Sequence, residues 1–119
     1  MNIQIFGVNK CADTRKAQRF FKERGIRFQF VDLTEKGLSK GELRSVAARV
    51  PLDQLIDRTS PRFVAKGLAH TWLDASKIES LLLADPLLLR TPIVRNSKEA
   101  TVGYCPAVWQ TWQSTRTEH

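Results

Sequence analysis

The sequence predicts an α/β fold in which a β-α-β unit, a helical insertion and a β-β-α unit follow one another in a single domain of residues 1–119. Three observations support this prediction: strand-like apolar runs at both ends of the chain, two helix-capping patterns in its middle, and a short polar turn between two apolar runs near the C-terminus. A chain of 119 residues can build one hydrophobic core but not two.

The N-terminal unit starts with an apolar strand at residues 2–6, which breaks at Gly7. A helix is predicted from about residue 12 to Arg24, because Gly25 is a suitable C-terminal cap. Alternating apolar and polar side chains at residues 26–32 indicate a second strand. A strand, a helix and a strand within thirty residues form a β-α-β unit, in which the two strands run parallel and the connection is right-handed.

Residues 39–88 are expected to form a helical insertion of three or four short helices, packed against one edge or end of the sheet. Pro51 and Pro61 separate these helices, because proline is tolerated in the first turn of a helix and ends the helix that precedes it. A capping box, in which serine and glutamate satisfy each other's backbone N–H groups, should open a helix wherever it occurs. The two candidate boxes are Ser39 with Glu42 and Ser76 with Glu79.

Two apolar runs, residues 87–95 and 100–104, predict an antiparallel hairpin because four polar residues separate them. Cys105 and Pro106 then begin a last helix, with proline in its first turn. The tryptophans of this helix are expected to pack against the sheet and not to bind bases; they are Trp109 and Trp112. The complete order of elements is that of the thioredoxin-like fold, with a mixed four-stranded sheet.

Cys11 is the candidate nucleophile, because it lies between the first strand and the start of the first helix. Unpaired backbone N–H groups and the positive end of the helix dipole stabilise a thiolate there. Arg15 lies one helical turn further on, where its guanidinium can reach the sulfur or a bound anion and lower the pKa of the thiol. The alternative is that Cys11 is an ordinary half-buried cysteine, packed as a small apolar residue.

The net charge of +7 is concentrated near this thiol, since residues 10–27 carry seven cations against two carboxylates, a net of +5. Arg15, Arg19 and Lys22 fall on one helical stripe, opposite the apolar face that contains Phe20. The stripe is either a solvated outer face or an attractive field for an anionic substrate such as glutathione or an oxyanion. Nucleic acid is not the expected partner, because no aromatic residues alternate with these cations.

A cytoplasmic location is expected, because the sequence has no signal-peptide pattern and no apolar run long enough to cross a membrane. In a reducing compartment Cys11 and Cys105 would be thiols between turnovers. His70 has no partner for metal binding and His119 belongs to a polar tail, so neither a metal nor a bound cofactor is expected. We also expect the protein to be a monomer.

The chain resembles the ArsC/Spx family of thioredoxin-like proteins, which includes glutaredoxin-linked arsenate reductases and Spx-type transcription regulators. The resemblance spans most of the chain, and it lies in the order and spacing of several short motifs. These motifs are Lys10-Cys11 with Arg15-Lys16-Ala17, Asp32-Leu33 with Gly37-Leu38-Ser39 and Glu42-Leu43, Pro86-Leu87-Leu88-Leu89-Arg90-Thr91-Pro92-Ile93-Val94, and Val102-Gly103-Tyr104.

The resemblance implies that Cys11 is the nucleophile and that Arg15 helps to hold the anion and the thiolate. It also implies that Thr91-Pro92 is a cis peptide facing the thiol, with the Thr91 backbone pairing with the main chain of glutathione or a peptide. An X-Pro bond is the only kind that adopts the cis form at low cost. Asn9 and Lys10, directly before the thiol, complete the expected substrate-binding set.

This chain departs from the arsenate reductases of the family at their arginines. They carry an arginine directly before the cis proline, where this chain has Thr91; Arg90 is one residue earlier and, on an extended strand, would face the opposite side. A second family arginine follows the last strand, where this chain has Cys105 instead. A third lies in the helical insertion, where Arg58 is the nearest match, although the position could also fall on Asp57. Losing a guanidinium removes a charged hydrogen bond of roughly 1.5–3 kcal/mol, so arsenate reduction ranks below general thiol chemistry.

The expected function is therefore that of a cytosolic thiol-disulfide oxidoreductase that uses Cys11 with glutathione or a glutaredoxin. Cys105 either resolves the mixed disulfide or is a buried helix-cap residue. Thr14 occupies the place of the second cysteine in the Cys-x-x-Cys loop of Spx-type regulators, which excludes that redox switch. The alternatives are a Spx-like module that docks on RNA polymerase or another protein without catalysis, and an arsenate reductase.

Overall fold

The computed structural model describes residues 1–117 and the side chains of residues 1–113, so the expected polar tail with His119 lies outside the described residues. The strands are β1 (Ile3–Gly7), β2 (Phe28–Asp32), β3 (Ile93–Asn96) and β4 (Glu99–Val102). The helices are α1 (Ala12–Glu23), α2 (Lys40–Ala47), α3 (Leu52–Leu55), α4 (Pro61–Ala65), α5 (Ala75–Ala84) and α6 (Pro106–Thr117), with a 3₁₀ turn at Pro86–Leu88.

The four strands form one mixed sheet in the order β2-β1-β3-β4. β1 pairs in parallel with β2, where Ile5 lies opposite Phe30, and antiparallel with β3, where Ile5 lies opposite Val94. β4 adds an antiparallel edge beside β3. The predicted α/β class, the parallel first pair and the C-terminal hairpin are confirmed.

The first helix has the amphipathic pattern that its sequence predicts. Its apolar side chains Ala17, Phe20 and Phe21 are buried, whereas its cations are exposed. The helix ends at Glu23, and Gly25 follows with a φ of +67°, a left-handed conformation that glycine adopts without a steric penalty.

The sheet separates two apolar clusters, because successive residues of a strand point to opposite faces. Ile5 of β1 and Val94 of β3 belong to the cluster under α1 and α6, whereas their neighbours Phe6 and Ile93 belong to the cluster under the insertion. The central strands are therefore buried on both sides. Polar groups can therefore be exposed together only at the ends of these strands, where the chain leaves the sheet.

The helical insertion contains four helices and the 3₁₀ turn, in agreement with the predicted three or four. Ser39 accepts a hydrogen bond from the Glu42 N–H and Glu42 accepts one from the Ser39 N–H, so the first capping box is confirmed. The prediction that Ser76 opens a helix is wrong. Asp74 caps α5 by accepting a hydrogen bond from the Lys77 N–H at 2.8 Å, so that Ser76 lies inside the first turn.

The first arm of the hairpin is shorter than predicted. Pro86 begins a 3₁₀ turn in which the Asp85 side chain accepts a hydrogen bond from the Leu87 N–H, and Pro92 has no N–H group with which to extend a ladder. The strand therefore starts at Ile93 and not at Leu87. The connecting turn has two residues instead of four, because Asn96 and Glu99 still pair with each other.

The last helix begins at Pro106 as predicted, and its tryptophans pack as predicted. The Trp109 side chain is fully buried, with its ring centroid 5.2 Å from that of Phe20 and 5.3 Å from that of Phe21. Its Nε1–H donates a hydrogen bond to Thr101 Oγ1 at 2.9 Å, which joins α6 to β4. Within residues 1–117, no helix combines the length and the hydrophobicity that a membrane span requires.

Candidate functional site

Cys11 lies at the junction of β1 and α1 and is the N-cap residue of that twelve-residue helix. Its backbone is extended, and its N–H donates a hydrogen bond to the Val8 carbonyl at 3.0 Å, closing the tight turn between strand and helix. The thiol is half-buried and donates to the Thr91 carbonyl at 3.7 Å. The sulfur therefore lies between the start of a helix and the peptide that precedes Pro92, and the Thr91–Pro92 peptide is cis as the resemblance implies.

Hydrogen-bond donors around Cys11 favour its thiolate. Burial by itself raises the pKa of this thiol, but the neighbouring hydroxyls of Thr91 and Thr14 and the backbone N–H groups of Thr14 and Asp13 together lower the pKa below its ordinary value. These are the unpaired N–H groups of a helix start, supplemented by two hydroxyls. The site thus has the electrostatics that nucleophilic cysteines require.

Thr14 is held against the thiol by close packing. Its side chain is fully buried, and its hydroxyl makes no hydrogen bond of standard geometry within the part of the chain whose side chains are described. Across from it lies Gly7, where a Cβ atom would come within 2.6 Å of the Thr14 hydroxyl oxygen. The glycine at the end of β1 therefore lets α1 approach closely enough for Thr14 to lie beside the sulfur.

A pocket of about 330 Å³ opens beside Cys11, and we call it the thiol pocket. It collects residues from the α1 start, the insertion, the cis peptide and the end of β4. Its lining residues are Cys11, Asp13, Asp57, Thr59, Arg90, Thr91, Val102 and Gly103.

Two backbone hydrogen bonds attach the insertion to the wall of the thiol pocket. The Asp57 N–H donates to the Leu88 carbonyl at 2.8 Å, and the Arg90 N–H donates to the Leu55 carbonyl at 2.7 Å. Between them, Ile56 and Leu89 form an isolated antiparallel bridge. Asp57 and Arg90 are therefore held at fixed positions next to Thr91.

Comparison with known proteins identifies the group to which this arrangement belongs. The sequence model of the ArsC family matches residues 6–112, from the central strand to the last helix. The chain belongs to the ArsC family.

Relatives and solved structures agree with this assignment. The global transcriptional regulator Spx 2 of Oceanobacillus iheyensis is 30% identical over 106 residues, which cover 87% of this chain and 78% of the relative. An arsenate reductase (ArsC) related protein from Brucella melitensis is 26% identical, with a TM-score of 0.68 and 94% of each chain covered. Arsenate reductase from Vibrio cholerae superposes with a TM-score of 0.79 at 20% identity, over 91% of this chain and 94% of the other. The fold is thioredoxin-like, as predicted.

This ArsC-family site contains one arginine, Arg90, that was predicted to face away from it. Arg90 and Thr91 both line the thiol pocket, so the prediction that Arg90 faces the opposite side is wrong. Strand alternation does not apply to these residues, because β3 starts only at Ile93. No sequence pattern indicated that Thr59 lines the site, and Asp57 was considered only as an alternative to Arg58 for a family arginine position.

Two predicted arginines lie outside the pocket lining. The Arg15 guanidinium donates to the Asn9 carbonyl at 2.7 Å, and it thereby supports the loop that carries Cys11. Arg58 forms an ion pair with Asp53 at 2.6 Å on the outer surface of the insertion. Their predicted contacts with a substrate remain predictions.

The other predicted residues before the thiol, Asn9 and Lys10, are exposed. The Asn9 side chain accepts a hydrogen bond from Gln18 at 3.3 Å, which fixes the loop further to α1. Pro92 is buried, and Thr91 is partly buried. A substrate role for Asn9 and Lys10 remains a prediction.

Cys105 is a free, half-buried thiol that packs with Trp109 in the cluster under α1 and α6. Its Sγ–H donates to the Val102 carbonyl at 3.3 Å. Burial raises the pKa of Cys105, and a hydrogen bond from the Thr101 side chain opposes this only in part. Cys105 is not among the residues that line the thiol pocket, although Gly103, two residues before it, is. Its part in resolving a mixed disulfide stays a prediction.

Proposed function

We propose that this ArsC-family protein is a thiol-disulfide oxidoreductase in which Cys11 is the single nucleophile and glutathione or a glutaredoxin is the reductant. The observation that supports this function best is a thiol with a lowered pKa at the mouth of an open pocket. At Cys105, by contrast, burial raises the pKa of the thiol.

The proposed reaction proceeds in two thiol-disulfide exchanges. The Cys11 thiolate attacks a glutathionylated substrate, forms a disulfide with the glutathione sulfur and releases the substrate as a thiolate. A second glutathione thiolate then attacks this mixed disulfide, forms glutathione disulfide and regenerates the Cys11 thiolate. In total, one free glutathione thiolate is consumed: the substrate sulfur leaves as a thiolate, the glutathione from the substrate and the incoming glutathione are joined as glutathione disulfide, and no other reductant is needed.

The residues around Cys11 have separate tasks in this scheme. Donors from Thr14 and the first turn of α1 stabilise the attacking thiolate and, after exchange, the departing one. The Thr91 backbone, next to the sulfur, would pair with the main chain of the bound glutathione. The cations near the thiol would attract a negatively charged substrate.

The test is the reactivity of Cys11 measured without interference from the second thiol. In a Cys105→Ser variant, the rate of iodoacetamide alkylation as a function of pH reports Cys11 alone, and a Cys11→Ser, Cys105→Ser variant gives the background. We expect the rate to rise at a pH clearly below that of a free cysteine, whose pKa is about 8.5. The same Cys105→Ser protein should remove glutathione from a glutathionylated peptide. Ordinary reactivity together with no turnover would exclude this function.

A binding function is the second candidate, because the 30% identical relative is named a global transcriptional regulator. In that case the chain would dock on RNA polymerase or another protein, and Cys11 would not be needed. Binding to bacterial RNA polymerase that is unchanged by Cys11→Ser, combined with ordinary Cys11 reactivity, would favour this candidate over the reductase.

Arsenate reduction is supported less well by the composition of the thiol pocket. Asp13 and Asp57 face the same space as Arg90, so the pocket holds more negative than positive side chains. A multiply charged oxyanion would be repelled by both carboxylates. An arsenate reductase assay of the wild type, compared with Thr91→Arg, tests this alternative directly.

A further inference from the structure

A groove of about 500 Å³ lies between α1 and the start of α6, and we call it the α1–α6 groove. It is lined from α1 and its C-terminal cap by Lys16, Arg19, Phe20 and Arg24, and from the other side by Tyr104 and Gln110. The groove shares no lining residue with the thiol pocket, but Tyr104 directly follows Gly103, which lines that pocket. It is therefore a separate concave surface, next in the chain to the proposed active site.

Contacts with aromatic rings place two cations of the groove. The Lys16 ammonium lies 5.6 Å from the centroid of the Tyr104 ring. The Arg24 guanidinium lies 3.7 Å from the centroid of the Phe20 ring, and it donates a hydrogen bond to the Phe20 carbonyl at 3.1 Å. Tyr104 in turn packs against the buried Trp109, with the ring centroids 5.6 Å apart. Cations and aromatic rings thus lie side by side in the groove.

The positive charge of the groove is not neutralised by the chain itself. Three cations line the groove, and the carboxylate that accompanies them belongs to Glu23. None of these four side chains forms an ion pair within the part of the chain whose side chains are described. Tyr104 is 44% exposed and Gln110 is also exposed, so both can contact a ligand. The groove thus combines an excess of positive charge with an aromatic surface and an amide.

The spacing of the cations is too wide for one small anion to bind at both ends of the groove. Lys16 and Arg24 are eight residues apart in the sequence, which on a helix is an axial separation of about 12 Å. An extended peptide places residues i, i+2 and i+4 on one side, and at about 3.3 Å per residue the outer two are about 13 Å apart. Carboxylates at i and i+4 can therefore reach Lys16 and Arg24 together, with side chain i+2 between them.

We propose that the α1–α6 groove binds an extended acidic segment of a partner protein, in which carboxylates at i and i+4 flank an aromatic side chain at i+2. Lys16 and Arg24 would bind the carboxylates, and the aromatic side chain would pack on Tyr104. A protein is favoured over nucleic acid, because Glu23 would repel a continuous row of phosphates and because stacking of successive bases needs more exposed rings than Tyr104. The inference goes beyond the proposed function, since no step of it involves Cys11.

Four pentapeptides with blocked ends test the proposal by NMR titration onto the isotope-labelled wild type at low salt. Glu-Ser-Tyr-Ser-Glu has the proposed pattern, and Ser-Glu-Tyr-Glu-Ser has the same composition with its carboxylates on the other side of the strand. Gln-Ser-Tyr-Ser-Gln lacks the charges, and Glu-Ser-Ala-Ser-Glu lacks the ring. We expect the first peptide to bind roughly threefold or more tighter than each of the others, the effect of exposed charge pairs. Its shift changes should cluster at Lys16, Phe20, Tyr104 and Gln110.

Variants of the groove identify the groups responsible. Lys16→Gln and Arg24→Gln should each weaken the binding of Glu-Ser-Tyr-Ser-Glu and leave that of Gln-Ser-Tyr-Ser-Gln unchanged. Tyr104→Ala should remove the advantage of tyrosine over alanine in the peptide, whereas Tyr104→Phe keeps a ring and should retain that advantage. The matched control is Lys22→Gln, which removes the same charge from α1 at a position that does not line the groove and should bind like the wild type.

The results keep this proposal separate from the proposed function. Cys11→Ser should bind Glu-Ser-Tyr-Ser-Glu as tightly as the wild type, and a groove that binds no peptide would overturn this inference and leave the reductase standing. Equal affinities for the two acidic peptides with tyrosine, or equal losses in Lys16→Gln and Lys22→Gln, would also overturn it, because only the general positive charge would then attract the peptide. Tighter binding of a single-stranded tetranucleotide at the same residues would overturn the assignment to a protein partner.

Discussion

At the scale of single residues, Cys11 illustrates how a helix start activates a thiol through neutral donors. The sequence placed the cysteine correctly at the start of α1 and attributed its activation to the backbone N–H groups of the helix start and to Arg15. In the structure the donors are the Thr14 and Thr91 side chains and backbone N–H groups, whereas Arg15 binds the Asn9 carbonyl. A charged side chain is visible in a sequence, but the direction in which it points is not.

Replacing Thr14 tests the contribution of its hydroxyl. Thr14→Val keeps the shape and removes the donor, so the pKa of Cys11 should rise and the alkylation profile should move to higher pH. A hydrogen bond to a charged group is worth roughly 1.5–3 kcal/mol, which makes the change measurable. Thr14→Ser retains the donor and should stay near the wild type. If Thr14→Val and the wild type had the same pH profile of Cys11 alkylation, the Thr14 hydroxyl would not affect the pKa of the thiol.

The two cysteines should react with alkylating reagents at very different rates. The lowered pKa of Cys11 gives more thiolate at neutral pH, whereas burial raises the pKa of Cys105 and keeps it protonated. Peptide mapping by mass spectrometry at neutral pH should find Cys11 labelled several-fold faster. The rate for Cys11 should reach its plateau first as the pH rises. Equal labelling of both thiols would contradict these assignments.

At the scale of elements, the approach of β1 to α1 depends on Gly7. An alanine there would place its Cβ 2.6 Å from the Thr14 hydroxyl and 2.7 Å from its methyl carbon, so α1 would have to shift. We expect Gly7→Ala to destabilise the fold by about 1–3 kcal/mol, the usual cost of overpacking, and to slow Cys11 alkylation. Chemical denaturation and the alkylation profile provide the two readouts.

Gly41→Ala is the matched control for this substitution. Gly41 lies in α2, and a Cβ there has as its nearest neighbour the Ser39 hydroxyl oxygen at 4.0 Å. Alanine should stabilise this helix by about 0.5–1 kcal/mol and leave Cys11 unchanged. A Gly7→Ala protein as stable as Gly41→Ala would refute the steric argument.

Asp85 connects α4 to the 3₁₀ turn and should make the stability of the fold depend on pH. Burial raises the pKa of Asp85, but hydrogen bonds from Arg62 and Lys66 and the charge of Arg62 lower it overall. A lowered folded-state pKa contributes stability above the unfolded-state pKa of about 3.9, and that stability is lost as the pH falls through the folded-state pKa.

Asp85→Asn should therefore cost about 1–2 kcal/mol at neutral pH, a moderate value because the Arg62 side chain is half exposed and screened by water. The difference from wild type should shrink in acid, as measured by urea unfolding at neutral pH and well below the unfolded-state pKa. Asp53→Asn, in an exposed pair, should change stability by less than about 0.5 kcal/mol at either pH. A penalty for Asp85→Asn that persists in acid would contradict this account.

The elements that the sequence predicts well are those defined by local patterns. The α1 helix, the Ser39 capping box and the alternation of β2 need only neighbouring residues. The first two are found where they were expected, and β2 starts at Phe28, two residues later than predicted. The bridge between Ile56 and Leu89 joins segments 33 residues apart with no periodic signal in either. Because that bridge brings Asp57, Thr59 and Arg90 to the thiol pocket, this side of the pocket could not be predicted.

At the scale of the whole molecule, the positive charge should affect how fast substrates arrive. The chain carries +7, of which +5 lies in residues 10–27, while glutathione disulfide is negatively charged. Its reaction with Cys11 should slow several-fold when salt is raised from about 10 mM to about 500 mM, because charges are screened over a few ångströms at the higher concentration. Neutral hydroxyethyl disulfide should react at a rate that salt does not change.

Charge-removing variants show whether the position of these cations matters. Lys16→Gln with Arg19→Gln should reduce both the low-salt rate and its salt dependence. Lys40→Gln with Lys77→Gln removes the same charge from the insertion and should have a smaller effect. Equal losses in the two double variants would mean that only the total charge counts.

The attachment of the insertion to the segment before the cis peptide also has an evolutionary consequence. The groups that activate the thiol lie in the first turn of α1 and at Thr91, whereas Asp57 and Thr59 come from a separate stretch that the Ile56–Leu89 bridge joins to the segment before Thr91. Mutations in that stretch can change which partners reach the sulfur without altering the acidity of the sulfur itself. A lineage can in this way exchange one client for another, or a small thiol for a protein, while it inherits the same reactive cysteine.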